Sequence, residues 1–120
     1  MQKTEQPDLH LKELPYFTCT EHHWKNMWGT YTDGVRYIAQ NGYAWLLSDA
    51  QIVIRMKPKL RREPFLVIEL KVNLEEHTAK MIITDGNNNT LYRQQYNYTD
   101  AKRNIKLYYE NGVMLLPSER

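Results

Sequence analysis

The sequence predicts an α+β fold in which N-terminal helices pack on an antiparallel β-meander of about three to five strands. Apolar residues recur at helical spacing in the first half of the chain, and they alternate with polar residues from position 65 onward. Helices that precede strands, with short links between them, are typical of helices packed on one face of an antiparallel sheet. With 120 residues, the chain is expected to form a single domain over residues 1–120.

The N-terminal segment is predicted to begin with a frayed stretch, because residues 1–7 are polar. A short helix is expected over Asp8–Leu14, where three leucines supply apolar positions and Pro15 stops the helix. A short strand is expected over Tyr16–Thr20.

Two helices are predicted in the middle of the chain. The first covers Asp33–Gln40, because Thr32 and Asp33 form a good N-cap pair and Asn41-Gly42 is a typical C-terminal stop. The second covers Tyr43–Ile54, which is apolar on nearly every side and therefore indicates a buried helix. Pro58 is expected to end it.

Strands are predicted in the second half. Polar and apolar side chains alternate over Phe65–Asn73, which indicates a half-buried strand. Strands at Thr78–Thr84 and Thr90–Tyr98 are expected to follow the turns at 74–77 and 85–89.

The tail from residue 100 to 116 has two interpretations. In the first, the apolar runs 105–109 and 113–116 form a hairpin closed at Asn111-Gly112. In the second, a helix capped by Asp100 ends at Gly112. The hairpin is favoured.

The composition limits which partners and which cellular location are expected. A net charge of +2 is too small to indicate a nucleic-acid partner by itself. The single cysteine, Cys19, excludes an internal disulfide and favours a reducing compartment. There is neither an apolar run of membrane-spanning length nor an apolar N-terminal leader, so no membrane partner is expected and the predicted location is cytoplasmic.

The densest group of cations is a basic segment, residues 55–62, predicted to be an exposed connection between the buried helix and the first long strand. It contains five cations: Arg55, Lys57, Lys59, Arg61 and Arg62. Such a segment could bind phosphates and gain affinity by releasing counterions. The alternative is a solvated loop that keeps the protein in solution.

A tyrosine row, Tyr92, Tyr96 and Tyr98, is predicted on one face of the third strand. If that face is open, the rings could stack on bases, as in sheet-based RNA-binding proteins. The alternative is that the row packs under a helix.

Three groups of residues have the composition of catalytic or metal sites but incomplete patterns. Cys19, His22 and His23 offer too few ligands for zinc, so a buried thiol beside a partly exposed His pair is expected. Glu75, Glu76 and His77 could perform acid–base chemistry but fall in a predicted surface turn. The 85–89 loop begins like a calcium loop, but Thr90 and Tyr96 break the pattern. No catalytic residue, metal or cofactor is therefore predicted.

Three stretches of the sequence resemble an uncharacterised bacterial domain family found in plasmids, phages and other mobile elements. They are 31–39 (YTDGVRYIA), 44–47 (AWLL) and 111–119 (NGVMLLPSE). The resemblance covers the chain from about residue 9 onward and brings no catalytic residues. It implies an accessory protein of a mobile element, and by analogy an inhibitor of host defence such as an anti-CRISPR protein.

Three functions are therefore considered. The first is a non-catalytic protein that inhibits a host defence complex through protein or protein–RNA contact, with the basic segment and the tyrosine row as its binding residues. The alternative is a direct RNA or single-stranded DNA-binding module. The third is a small metal-independent hydrolase or nuclease that uses His22, His23 or Glu76. A homodimer is compatible with the exposed edge strand of a short meander.

Overall fold

A computed structural model describes residues 7–120, and in them a seven-stranded sheet carries its helices on one face. The strands are β1 (His23–Asn26), β2 (Gly29–Thr32), β3 (Phe65–Asn73), β4 (Thr78–Thr84), β5 (Thr90–Tyr96), β6 (Ile105–Glu110) and β7 (Val113–Leu115). The helices are α1 (Asp33–Ile38), α2 (Ala44–Met56) and α3 (Pro58–Arg61).

The strands lie in the order β1-β2-β7-β6-β3-β4-β5. Neighbours are antiparallel except β2 and β7, which are parallel. This parallel pair joins the N-terminal hairpin to the C-terminal hairpin, so one sheet contains both halves of the chain.

The core lies between the helices and one face of the sheet. Alternate residues of β3 (Leu66, Ile68 and Leu70) are buried beside Ala50 and Ile54 of α2. Fully burying one such aliphatic side chain contributes about 1.5–3 kcal/mol, so a core of this extent can stabilise the domain. No helix in residues 7–120 combines the length and the hydropathy needed to cross a membrane.

The α+β class is confirmed, and so are the strongest individual predictions. β3 and β4 have the predicted bounds, and the tail forms the predicted hairpin, β6–β7, closed at Asn111-Gly112. Asn111 and Gly112 both have positive φ angles of 55° and 80°, the conformation that Asn and Gly adopt most readily.

The predicted strand number and order are wrong. The sheet has seven strands, and β1 and β2 precede the helices. The third strand of the predicted meander, now β5, ends at Tyr96 and leaves Tyr98 outside it.

The N-terminal predictions are also wrong where the structure describes them; residues 1–6 of the expected frayed stretch lie outside the described residues. Asp8–Leu14 forms turns instead of a helix, because the Asp8 carboxylate accepts the backbone N–H groups of His10 (3.1 Å) and Lys12 (2.8 Å) and Leu11 has a φ of 53°. Leu14–Tyr16 forms one 3₁₀ turn, and 17–20 contains bends, so the expected strand over Tyr16–Thr20 is absent.

The predicted helices exist with adjusted ends. α1 stops at Ile38, two residues early, and a wide turn follows in which Asn41 and Gly42 leave helical geometry. Thr32 occupies the N-cap position, but its hydroxyl donates to the Glu119 carboxylate at 2.6 Å instead of capping the helix. α2 ends at Met56, and Pro58 begins α3.

Candidate binding surface

No helix of residues 7–120 covers the face of the sheet that lies opposite the helix layer. Side chains alternate between faces along a strand, and directly paired residues share a face. The residues between the buried positions of β3, β4 and β6 therefore define this uncovered face. Cross-strand pairing arranges it in four rows: Lys71–Lys80–Gln95; Lys106–Glu69–Ile82–Arg93; Leu115–Tyr108–Val67–Thr84; and Lys25–Thr30–Val113–Glu110–Phe65.

The uncovered face is strongly basic. Among the described residues, its six cations are Lys25, Lys71, Lys80, Arg93, Lys106 and Arg120, the last placed there by its contact with Phe65. Its two strand carboxylates are Glu69 and Glu110. Six cations less two carboxylates leave an excess of four positive charges, which is larger than the net charge of +2 of the whole chain. The uncovered face therefore carries a positive charge of its own, separate from that of the basic segment in the helix layer.

Lys71 and Lys80 are direct cross-strand partners on β3 and β4, and both are exposed. Direct partners place their Cβ atoms about 4.5–5.5 Å apart, and like charges in this arrangement destabilise a sheet. Within residues 7–120 the single ion pair is that of Arg120 with Glu110, so no carboxylate lies within ion-pair distance of either lysine. Folding does not account for this lysine pair.

A shallow groove with a volume of about 450 Å³ runs beside the lysine pair at the β4–β5 edge. Lys80, Ile82, Arg93 and Gln95 line it on the uncovered face. It combines cations and an amide with one apolar floor residue, and these groups suit an anionic ligand that also offers an apolar surface.

Two aromatic rings lie at the opposite end of the uncovered face. Phe65 and Tyr108 meet edge to face with 4.9 Å between ring centroids. The Arg120 guanidinium lies 4.6 Å from the Phe65 centroid and bonds Glu110 at 3.2 Å. Both rings are half-buried, so each keeps part of its surface accessible.

The basic segment is exposed as predicted, but it is not a loop. Arg55 lies in the last turn of α2, and Lys59 and Arg61 lie in α3, which Lys57 and Arg62 cap and the fully buried Leu60 anchors. The Arg61 guanidinium donates to the carbonyl of Arg55 at 3.0 Å and thereby satisfies one of the free carbonyls of the α2 C-terminus. The segment lies in the helix layer, so it does not belong to the uncovered face.

The tyrosine row does not form an open stacking platform. Tyr92 and Tyr96 point to the helix side, since they pair with the buried Ile83 and Ala79. Tyr96 contacts Trp45 of α2 with 4.9 Å between centroids. Its hydroxyl donates to Asp49 at 2.8 Å. Burial raises the pKa of Tyr96, and the hydrogen bond to Asp49 raises it further.

Tyr98 is separate from the other two tyrosines and is 71% exposed. Its hydroxyl donates to Asp100 at 3.1 Å. Together with Trp45, Asp49 and Tyr96 it lines a pocket of about 580 Å³ on the helix side. This pocket contains carboxylates, so its charge is opposite to that of the uncovered face.

The residues that have the composition of catalytic or metal sites do not come together into a site in the part of the chain that the structure describes. Cys19 is exposed, which corrects the expected buried thiol, and His22 and His23 are exposed beside it. Residues 7–120 hold no cluster of three or more His, Cys, Asp or Glu side chains arranged for a metal ion. Glu75 and Glu76 occupy the predicted turn.

The 85–89 loop is a hairpin turn, as predicted. The Asp85 carboxylate accepts the Asn89 side-chain amide and the Asn87 backbone N–H, each at 2.8 Å. These hydrogen bonds, that from Asn89 first, lower the pKa of Asp85. The oxygens of this carboxylate therefore hold the turn together.

The uncovered face was missed by sequence reasoning, which placed the binding residues on the tyrosine row and the basic segment. A signal was available in β3 and β4, where Val67, Lys71 and Lys80 alternate with core residues. This alternation does not reveal the surface unless the pairing of the strands is known, because the strand register decides which residues become neighbours.

The fold and the surface thus define a small α+β protein with one covered and one uncovered sheet face, the uncovered one basic. Over residues 8–120 the chain belongs to a family described as a family of unknown function, DUF6876. No curated protein and no solved structure matches the chain significantly.

Proposed function

We propose that this chain is a non-catalytic binding protein of a mobile element, acting in the cytoplasm, that inhibits a host defence complex in the manner of anti-CRISPR proteins through protein or protein–RNA contact. The mobile-element setting rests on the resemblance of residues 31–39 and 111–119 to domains of plasmids and phages. The binding mode rests on the surface described above.

The observation that carries the proposal is the uncovered face, with its unpaired lysine pair. A sheet face of a small domain that serves only folding would be expected to alternate charges of both signs, because opposite charges stabilise cross-strand pairs. Here Lys71 faces Lys80 with no carboxylate in reach among the described residues. A partner with negative charge would relieve this repulsion and bind in the same step.

Affinity capture from the lysate of a host that carries a defence system tests the proposal. The parent chain is compared with Lys71→Gln/Lys80→Gln and with Lys12→Gln/Lys102→Gln, a matched variant that removes two lysines lying outside every strand and outside the basic segment. We expect the parent and the matched variant to retain a subunit of the defence complex and to protect an incoming phage or plasmid. The face variant should lose both properties.

Two outcomes would contradict the proposal. One is that the parent protects neither phage nor plasmid and retains no defence subunit. The other is that the face variant protects as well as the parent, since the inhibiting surface would then lie elsewhere.

A further inference from the structure

We infer that the uncovered face binds a segment of single-stranded nucleic acid, with its phosphates on the Lys71–Lys80–Arg93 group and its bases toward Tyr108 and Phe65. This inference rests on the proposed function and names the chemistry of the partner that the surface fits.

The first argument concerns the cations. Lys71, Lys80 and Arg93 occupy two adjacent rows at one corner of the sheet, and all three are exposed. Among the described residues none of them has an ion-pair partner, whereas Arg120 does. Their charges are available to an external anion, and phosphate oxygens accept hydrogen bonds from Lys and Arg readily.

The second argument concerns the length of the uncovered face along β3. From Lys71 to Phe65 the face follows β3 for six residue steps, which at the rise of a strand is about 20 Å. One small anion would occupy only the lysine corner. A linear polyanion can follow the whole strip and contact Lys106 between its two ends.

The third argument concerns the apolar part. Ile82 and Val67 lie in the middle of the strip and Tyr108 beside Val67, all half-buried on the uncovered face. Bases of a single strand expose their planes to such side chains, and base–aromatic stacking contributes to binding with little dependence on sequence. In a duplex these planes are hidden, so a flat face without a protruding helix favours a single strand.

Fluorescence anisotropy with fluorescein-labelled oligouridylate and oligothymidylate of about 12 nucleotides tests the inference. At a salt concentration of about 50 mM we expect the parent to bind both probes. The affinity of Lys71→Gln/Lys80→Gln should fall roughly tenfold, and its plot of log affinity against log salt should be shallower by about 1.4. The matched variant Lys12→Gln/Lys102→Gln should keep affinity within about twofold of the parent. Tyr108→Leu, which keeps an apolar side chain, should bind more weakly with an unchanged salt slope.

Lys80→Glu separates binding from folding. It replaces the like-charged pair with Lys71 by an opposite-charged pair, so its thermal midpoint should equal or exceed that of the parent. Its affinity for both probes should nevertheless fall by more than that of the glutamine variant. A loss of binding in a protein that is at least as stable cannot be attributed to unfolding.

The outcomes distinguish this inference from the proposed function. Absence of probe binding by the parent, or equal losses in the face variant and the matched variant, would overturn the nucleic-acid site. If the parent binds no probe while the face substitutions still abolish capture of the defence complex, the partner on this face is an acidic protein and the proposed function stands. If the face variant loses probe binding but still protects phage and plasmid, the site stands and the proposed function fails.

Discussion

The Glu119 carboxylate accepts a hydrogen bond at 2.9 Å from the backbone N–H of Gly34, a residue 85 positions earlier in the chain. The second carboxylate oxygen accepts the Thr32 hydroxyl and the Leu116 backbone N–H. Glu119 therefore places a negative charge at the N-terminus of α1, where the helix dipole favours it. Two of the three segments that carry the family resemblance, 31–39 and 111–119, are thus in contact with each other, so their shared pattern reflects the fold and not the binding surface.

Glu119→Ala is expected to lower the free energy of unfolding by about 2–3 kcal/mol, because three donors lose a charged acceptor. Urea denaturation followed by tryptophan fluorescence measures the change. Glu75→Ala, which removes an exposed carboxylate from the β3–β4 turn, is the matched control and should change stability by less than about 0.5 kcal/mol. Equal effects of the two substitutions would mean that the Glu119 contacts contribute nothing.

Gly34→Ala is expected to destabilise the protein by about 1–2 kcal/mol, although alanine favours helices more than glycine does. A Cβ at this position would collide with a methyl group of Leu116 and would lie 2.8 Å from the Glu119 carboxylate. Combining it with Leu116→Ala should cost less than the sum of the single changes, since the shorter side chain makes room. If Gly34→Ala stabilised the protein instead, the fold would have room for a Cβ at position 34.

Asp33→Asn is expected to make the stability of the protein less sensitive to acid. The hydrogen bond from the Trp24 indole N–H (2.8 Å), followed by that from the Glu21 backbone N–H, lowers the pKa of Asp33 below its ordinary value of 3.8. A lowered folded-state pKa contributes stability that is present above the ordinary pKa and is lost as the pH falls through the folded-state value. Urea midpoints from about pH 5 to about pH 2 should therefore fall less steeply in the variant. If the urea midpoints of parent and variant fell equally steeply with pH, the Asp33 carboxylate would not contribute this stability.

Tyr96→Phe is expected to cost about 1 kcal/mol at neutral pH through the lost hydrogen bond to Asp49. The raised pKa of Tyr96 contributes stability that is complete below the ordinary tyrosine value of 10.0 and is lost as the pH rises above it. The stability difference between parent and variant should therefore shrink above pH 10, by up to about 1.4 kcal/mol per pH unit. Denaturation curves at pH 7 and near pH 11 measure it, and a constant difference would contradict the assignment.

The strands that the sequence predicted correctly are those whose side chains alternate between core and surface. β3 has three buried aliphatic residues at every second position, and β4 repeats the pattern with Ala79, Met81 and Ile83. β1 and β2 were missed because neither strand has such a pattern: the helix-facing positions of β1 are half-buried Trp24 and Asn26, and β2 begins with Gly29. The two strands pair with each other as a local hairpin, but β2 joins the rest of the sheet only through β7, a long-range contact that local periodicity cannot show.

The binding surface was less predictable than the fold. The shared face of Tyr92 and Tyr96 was predicted correctly, but the alternation of a strand does not say which of its two faces the helices will cover. The basic segment was visible because its cations are close in the chain. The cations of the uncovered face come from five different strands and from Arg120, so only the sheet brings them together.

The parallel pairing of β2 with β7 has a consequence for the order of events during synthesis. Thr30 and Tyr31 align with Val113 and Met114, so the N-terminal hairpin cannot join the sheet until more than eighty later residues have left the ribosome. Strands β3, β4 and β5 pair with sequence neighbours and can form first. Nascent chains halted before residue 113 should therefore leave β1 and β2 accessible to proteases while the β3–β5 meander is already protected.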